Sequence, residues 1–314
     1  MEGHNQSMTI LFYMIGLSNY PELQSLFFII FFFIYLIAML GNTVITIIII
    51  TNSRLHTPMY FFLINLSILD ICSITAIIPK VLQIIQSKEK TMSFSECMTQ
   101  MCVFSSALGT ELLLLTVMAY DRYVAICHPL HYTTIISRRT CILLAFTVWL
   151  LGFSNSVMHL GLLLRLKFCP HNVIDHFFCE VPPLLKVACS DTYVNHVTLT
   201  ISDITFGIVC FVLTVISYTY IISTILKIRS AEKKKKAFST CASHLTVVTL
   251  YFGGVIYTYI LPAYFNDPET DKVMSAVYAI ASPVLNPLIY SLRNKEVIKS
   301  LKKLLEKDLC PYNL

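Results

Sequence analysis

The chain has 314 residues, 56% of them hydrophobic and only 13% charged, with a strongly positive mean hydropathy and a net charge of +5. No soluble domain of this length needs so much apolar surface, so the composition excludes the ordinary soluble classes and points to the membrane. The basic excess would also suit nucleic acid, but the lysines and arginines fall between apolar runs, where they act as topological signals, and no nucleic-acid partner is expected.

Windows of about twenty apolar residues, the length that crosses a bilayer, occur at 23–51, 58–86, 94–127, 139–166, 192–228, 237–262 and 271–291. The expected fold is an all-α membrane protein, a seven-transmembrane helix bundle over 23–291 with a polar tail, 1–22, before it. Beyond it, in 292–314, Leu292, Val297, Ile298, Leu301, Leu304 and Leu305 recur at helical spacing with lysines opposite, the pattern of a short amphipathic helix lying on lipid. An odd number of spans puts the termini on opposite sides. Arg54, Arg138, Arg139, Lys227, Arg229, Lys233 to Lys236 and the basic tail share one set of connections, which is therefore expected to be cytoplasmic. The reading is a multi-pass plasma-membrane protein with an extracellular N-terminus, where Asn5-Gln6-Ser7 is a glycosylation acceptor. No cleavable signal peptide is expected, because the first twenty-two residues carry no Lys or Arg and the first apolar run is too long.

Ionisable groups inside spans are expensive and default to function, and three stand out: Asp70, Glu111 and Asp203. Span three closes in MAYDRYVAICHPLHY, Met118 to Tyr132, where Asp121 and Arg122 stand side by side before Pro129. Such a pair can hold together or release the arginine to another partner, which is what a two-state switch needs. Cys97, at the start of span three, and Cys169, Cys179 and Cys189, in the loop before span five, allow three disulfide pairings. Tyr218 ends span five and Tyr290 lies one turn below the Asn286-Pro287 hinge of span seven, both at the depth of Arg122 and both partners for it once Asp121 lets go.

Phe104 lies eighteen residues before Arg122, about 27 Å away along a helix. Phe104, Ser105 and Leu108 share a face there, and Ser202, Phe206, Ile256 and Tyr259 lie at comparable depth, with His159 and Asp203 as polar groups. A mostly apolar pocket of this kind implies a small, fairly hydrophobic ligand.

Several strings converge: Gly41-Asn42, Pro58 to Leu63, MAYDRYVAICHPLHY with its Asp121-Arg122-Tyr123, Ser217-Tyr218, KAFSTCASHL from Lys236, and PVLNPLIY from Pro283. With the three-cysteine loop they cover nearly the whole chain, which resembles the olfactory receptors of the tetrapod-type class, within the rhodopsin-like G-protein-coupled receptors. The resemblance implies a receptor for small odorants that activates the stimulatory olfactory G protein and raises cyclic AMP. It also implies the pairings Cys97 with Cys179 and Cys169 with Cys189. Asp70 resembles the mid-span aspartate of the superfamily, and with Asn286 and Ser282 it would line a polar cavity where Asp70 and Glu111 hold a sodium ion; no other cofactor is implied. Members of this class commonly read Phe-Tyr-Gly-Thr where this chain has Tyr251-Phe252-Gly253-Gly254. The exchange moves the hydroxyl about 100° around the helix, so a coupling role of the family's tyrosine does not transfer to Phe252.

An enzyme is not expected, since His159 and His244 stand isolated from any nucleophile or metal cluster. A transporter would carry internal repeats, and none is found. A receptor for a non-odorant small ligand, using the same pocket and switch, is the remaining alternative.

Overall fold

The computed structural model describes residues 10–16, 21–87, 89–169, 172–257, 268–292 and 297–299. Among the described residues, seven long helices form a bundle: α1 (Pro21–Thr51), α2 (Pro58–Gln86), α3 (Phe94–Cys127), α4 (Arg138–Leu163), α5 (Tyr193–Leu226), α6 (Ala231–Val255) and α7 (Pro268–Leu292). The first five are each long and apolar enough to cross a membrane. Large apolar side chains such as Leu40 on α1, Phe146 on α4 and Val212 on α5 face outward. Water would not tolerate that surface, whereas hydrocarbon does, and the helices satisfy their own backbone groups.

Local chemistry fixes the helix starts. Pro58 opens α2 at its first turn, where its missing N–H costs nothing. A capping box opens α3: Ser93 Oγ accepts from Glu96 N at 3.3 Å and Glu96 Oε2 accepts from Ser93 N at 2.9 Å. Ser137 caps α4 and Ser230 caps α6. That last cap makes α6 begin six residues before the apolar window, so Lys233 to Lys235 belong to the helix and extend it beyond the hydrocarbon. Conversely α4 stops at Leu163 and α5 at Leu226, slightly short of their windows.

Small residues let the bundle close. An added Cβ at Gly41 would stand 3.0 Å from Pro287 Cγ, so glycine is what lets α1 touch α7 there. Next to it, Asn42 Nδ2 donates to Pro283 O at 2.8 Å, reaching a carbonyl beside the α7 prolines. Trp149 Nε1 donates to Asn65 Oδ1 at 3.0 Å and ties α4 to α2.

The bundle is not purely helical. Leu11–Met14, inside the expected tail, forms strand β1. It pairs antiparallel with β2 (Thr91–Ser93) and parallel with β3 (Val173–Ile174). Phe12 and Met14 are buried beneath this small sheet, in one cluster with Cys97, Cys179, Leu163 and Leu184. Cys97 is disulfide-bonded to Cys179 and Cys169 to Cys189. The first bond fastens the segment before α5 across the mouth of α3, at what is here termed the disulfide end. Of the expected amphipathic tail 292–314, Leu292, at the end of α7, and 297–299 lie within the described residues; 297–299 are helical, with Val297 buried.

Candidate functional site

At the disulfide end a cavity of about 70 Å³ opens between α3, α4, α5 and α6. It brings together Phe104, Ser105 and Leu108 from α3, His159 from α4, and Ser202, Asp203 and Phe206 from α5. Ile256 does not line it; its neighbour Val255 does, because one residue of helical rotation turns Ile256 away. Tyr259 lies outside the described residues. The wall that sequence reasoning missed comes from the disulfide-tied loop, where Glu180, Val181 and Pro182 close the mouth. Only the disulfide, which carries residue 179 across α3, foretells that Glu180 reaches the cavity.

Asp203 begins a seven-residue π-helical segment, Asp203–Val209, within α5. Such widened turns are rare and cluster at functional sites. Opposite, Ser202 Oγ donates to Asn155 Oδ1 at 2.8 Å and lies 3.0 Å from His159 Nε2, so three side chains from two helices form one chain of hydrogen bonds.

At the other end of α3 the switch residues meet. Asp121 is 0% exposed. Arg122 Nε donates to its Oδ2 at 2.8 Å, and Arg122 Nη2 contacts the same oxygen. Tyr132, in the turn after Pro129, donates to Asp121 Oδ1 at 2.7 Å. Burial, together with the Asp121 charge, pushes the Tyr132 phenol well above its ordinary pKa, so it remains a donor. Tyr132 stands in the quoted string, but its partnership arises only because Pro129–His131 forms a tight turn that folds the chain back. Tyr123 bonds instead to His128 Nε2 at 3.0 Å.

Neither expected tyrosine is hydrogen-bonded to Arg122 in this arrangement. Tyr218 Oη sits 2.6 Å from His244 Nδ1, with the rings stacked. His244, isolated in the sequence, is therefore not isolated in the fold, because α5 and α6 bring the two rings together. The Tyr290 hydroxyl is buried and bonds to no described residue. Phe252 packs on Phe211 across α5 and α6, with ring centroids 5.6 Å apart.

Between these two ends, Asn286 Nδ2 donates to both Asp70 oxygens, at 3.2 and 3.0 Å, and to Ser282 Oγ at 3.2 Å. Pro287 follows inside α7 and packs on α1. Glu111, 4% exposed, lies within electrostatic reach of Asp70. Two carboxyls and a hydroxyl make an oxygen-rich set of the kind that fits a hard monovalent cation, with the Asn286 amide donating to it. Among the described residues no group of three or more His, Cys, Asp or Glu could hold a metal. Asn5 lies outside the described residues.

The family model for olfactory receptors matches residues 31–308. Human olfactory receptor 13G1 is 50% identical over 299 residues, covering 95% of this chain and 97% of that protein. Human olfactory receptor 13A1 is 50% identical over 300 residues, 96% of this chain and 92% of that one. Olfactory receptor 1G1 of Gorilla gorilla gorilla is 45% identical over 305 residues, 97% of each. With the cavity at one end of α3 and the Asp121–Arg122 pair at the other, matches of this extent leave one conclusion: the chain belongs to the olfactory receptor family.

Proposed function

We propose that this odorant receptor lies in the plasma membrane with the disulfide end outside, takes a small, largely apolar molecule into the cavity, and activates a stimulatory, olfactory-type G protein to raise cyclic AMP. The orientation rests on the basic residues Arg54, Arg138 and Lys233 to Lys235, which gather at the Arg122 end. The observation that carries the mechanism is the double duty of α3. Phe104, Ser105 and Leu108 line the cavity, while Asp121 and Arg122 close the opposite end of the same rigid helix.

A ligand that prefers the state with α6 swung outward shifts an equilibrium the protein already samples. Arg122 then leaves Asp121, which Tyr132 also holds, Tyr218 leaves His244, and the Tyr290 hydroxyl, which bonds to no described residue, moves toward the arginine. The Asn286-Pro287 kink in α7 supplies the hinge, and the opened cleft receives the G protein. Ligand and G protein strengthen each other's binding by the same factor. The test is cyclic AMP in cells that express the chain with the olfactory G protein, screened against small volatile molecules. A response that Arg122→Ala removes while surface staining persists is expected. Silence across the panel despite surface expression would overturn the G-protein reading.

Asp70 and Glu111, beside the Ser282 hydroxyl, are assigned a sodium ion that favours the closed state. Sodium chloride is expected to raise the melting temperature of the purified receptor by roughly a few degrees over N-methylglucamine chloride, and Asp70→Asn to abolish the difference. Equal melting in both salts would sink the assignment.

A further inference from the structure

We propose that the cavity between α3, α4, α5 and α6 selects amines: a short alkyl chain against Phe104, Leu108 and Phe206, and its ammonium group on the Asp203 carboxylate. The inference rests on the proposed ligand pocket and names the chemical class it takes.

Two of the cavity's lining residues are acids, Asp203 and Glu180, and none is Lys or Arg. Glu180 is already engaged, its Oε1 lying 3.2 Å from His176 Nε2. Asp203 is not: its carboxyl forms no hydrogen bond or ion pair to any described residue. A half-buried carboxylate with no partner among the described residues costs free energy that an incoming cation recovers.

The neutral polar groups bring no opposing charge. Ser202 Oγ lies 2.8 Å from Asn155 Oδ1, 3.0 Å from Thr198 O and 3.0 Å from His159 Nε2, so Ser202 and His159 are engaged within the wall. The acids therefore set the sign of the wall and favour a ligand whose polar group is a cationic donor. An ammonium offers three donors and a charge, and a charge-assisted bond is roughly twice as strong as a neutral one. An alcohol offers one neutral donor. A carboxylate would meet two acids and no cation. The rings of Phe104 and Phe206 add faces that attract a cation. A cavity of about 70 Å³ keeps the apolar part short.

The experiment compares n-pentylamine, n-pentanol and pentanoate on the purified receptor, by thermal stability, and on cells, by cyclic AMP. Pentylamine is expected to stabilise the receptor at about tenfold lower concentration than pentanol, and pentanoate not to stabilise it. Asp203→Asn, which keeps size and hydrogen bonding, is expected to erase that tenfold preference, and Asp203→Glu, which keeps the charge, to retain it. An amine no better than the alcohol on the purified receptor overturns the inference, as does a preference that survives Asp203→Asn. Stabilisation that depends on Asp203 without any cyclic AMP response upholds the inference and removes the G-protein reading instead.

Discussion

Gly152→Val is expected to keep the receptor off the cell surface, whereas Gly161→Val on the same helix is expected to leave its surface level unchanged. Helices α3 and α4 cross with almost no room between their backbones. A Cβ at Gly152 would overlap Thr110 Oγ1 outright, stand 2.8 Å from Thr110 N and 3.0 Å from Ser106 O. The hydroxyl is not free to turn aside, because it already donates to Ser106 O at 2.7 Å, and the other two atoms are backbone. Gly109, on the facing helix, brings its own missing side chain to the crossing, since its Cβ would lie 3.7 Å from Gly152 Cα. One turn further along α4, Ser156 Oγ donates to Cys102 O at 2.6 Å and fixes the register. Valine can therefore enter only by pushing the helices apart, at about 3 kcal/mol or more, against a total stability on the order of 5–15 kcal/mol. A Cβ at Gly161 meets nothing within 4 Å. Surface staining with melting of the purified protein decides the matter. Wild-type levels and melting for Gly152→Val would mean that the α3–α4 crossing is looser than described.

What the sequence made legible follows from what membranes demand. Spans are long apolar runs, so α1 to α5 could be placed to within a few residues from composition alone, and the cavity-facing Phe104, Ser105, Leu108, Ser202 and Phe206 from helical spacing and depth. Four features escaped for physical reasons. Strand β1 reads Leu-Phe-Tyr-Met, apolar at every position, so no alternation marks it. Its partners are short segments about 80 and 160 residues away, and only the fold brings them together. The start of α6 escaped because an apolar window sees only the part of a helix that hydrocarbon requires; the lysine turns are held by Ser230 and by helix propensity. Glu180 and Tyr132 escaped because both sit in connections, where position is set by a disulfide or a proline turn rather than by periodicity.

Tyr132→Phe is expected to raise ligand-independent cyclic AMP by about tenfold or more at equal surface expression. The buried Asp121 carboxylate has a donor on each oxygen: Arg122 Nε at 2.8 Å on Oδ2 and the Tyr132 hydroxyl at 2.7 Å on Oδ1. Phenylalanine keeps the ring and its packing but leaves Oδ1 of a desolvated anion without that O–H. A hydrogen bond to a charged group is worth about 1.5–3 kcal/mol. In the proposed mechanism that bond exists only while Arg122 is held, so its loss penalises the closed state alone. Each 1.4 kcal/mol or so moves a two-state ratio about tenfold toward the open form. Adding Arg122→Ala to the same chain should return the signal to background, because the open state then lacks the group that engages the G protein. An unchanged basal signal in Tyr132→Phe would mean that Asp121 holds Arg122 without help, or that Tyr132 follows it through the transition. In either case the lock would consist of the adjacent Asp121–Arg122 pair alone, and Asp121→Asn would become the substitution that separates holding from release.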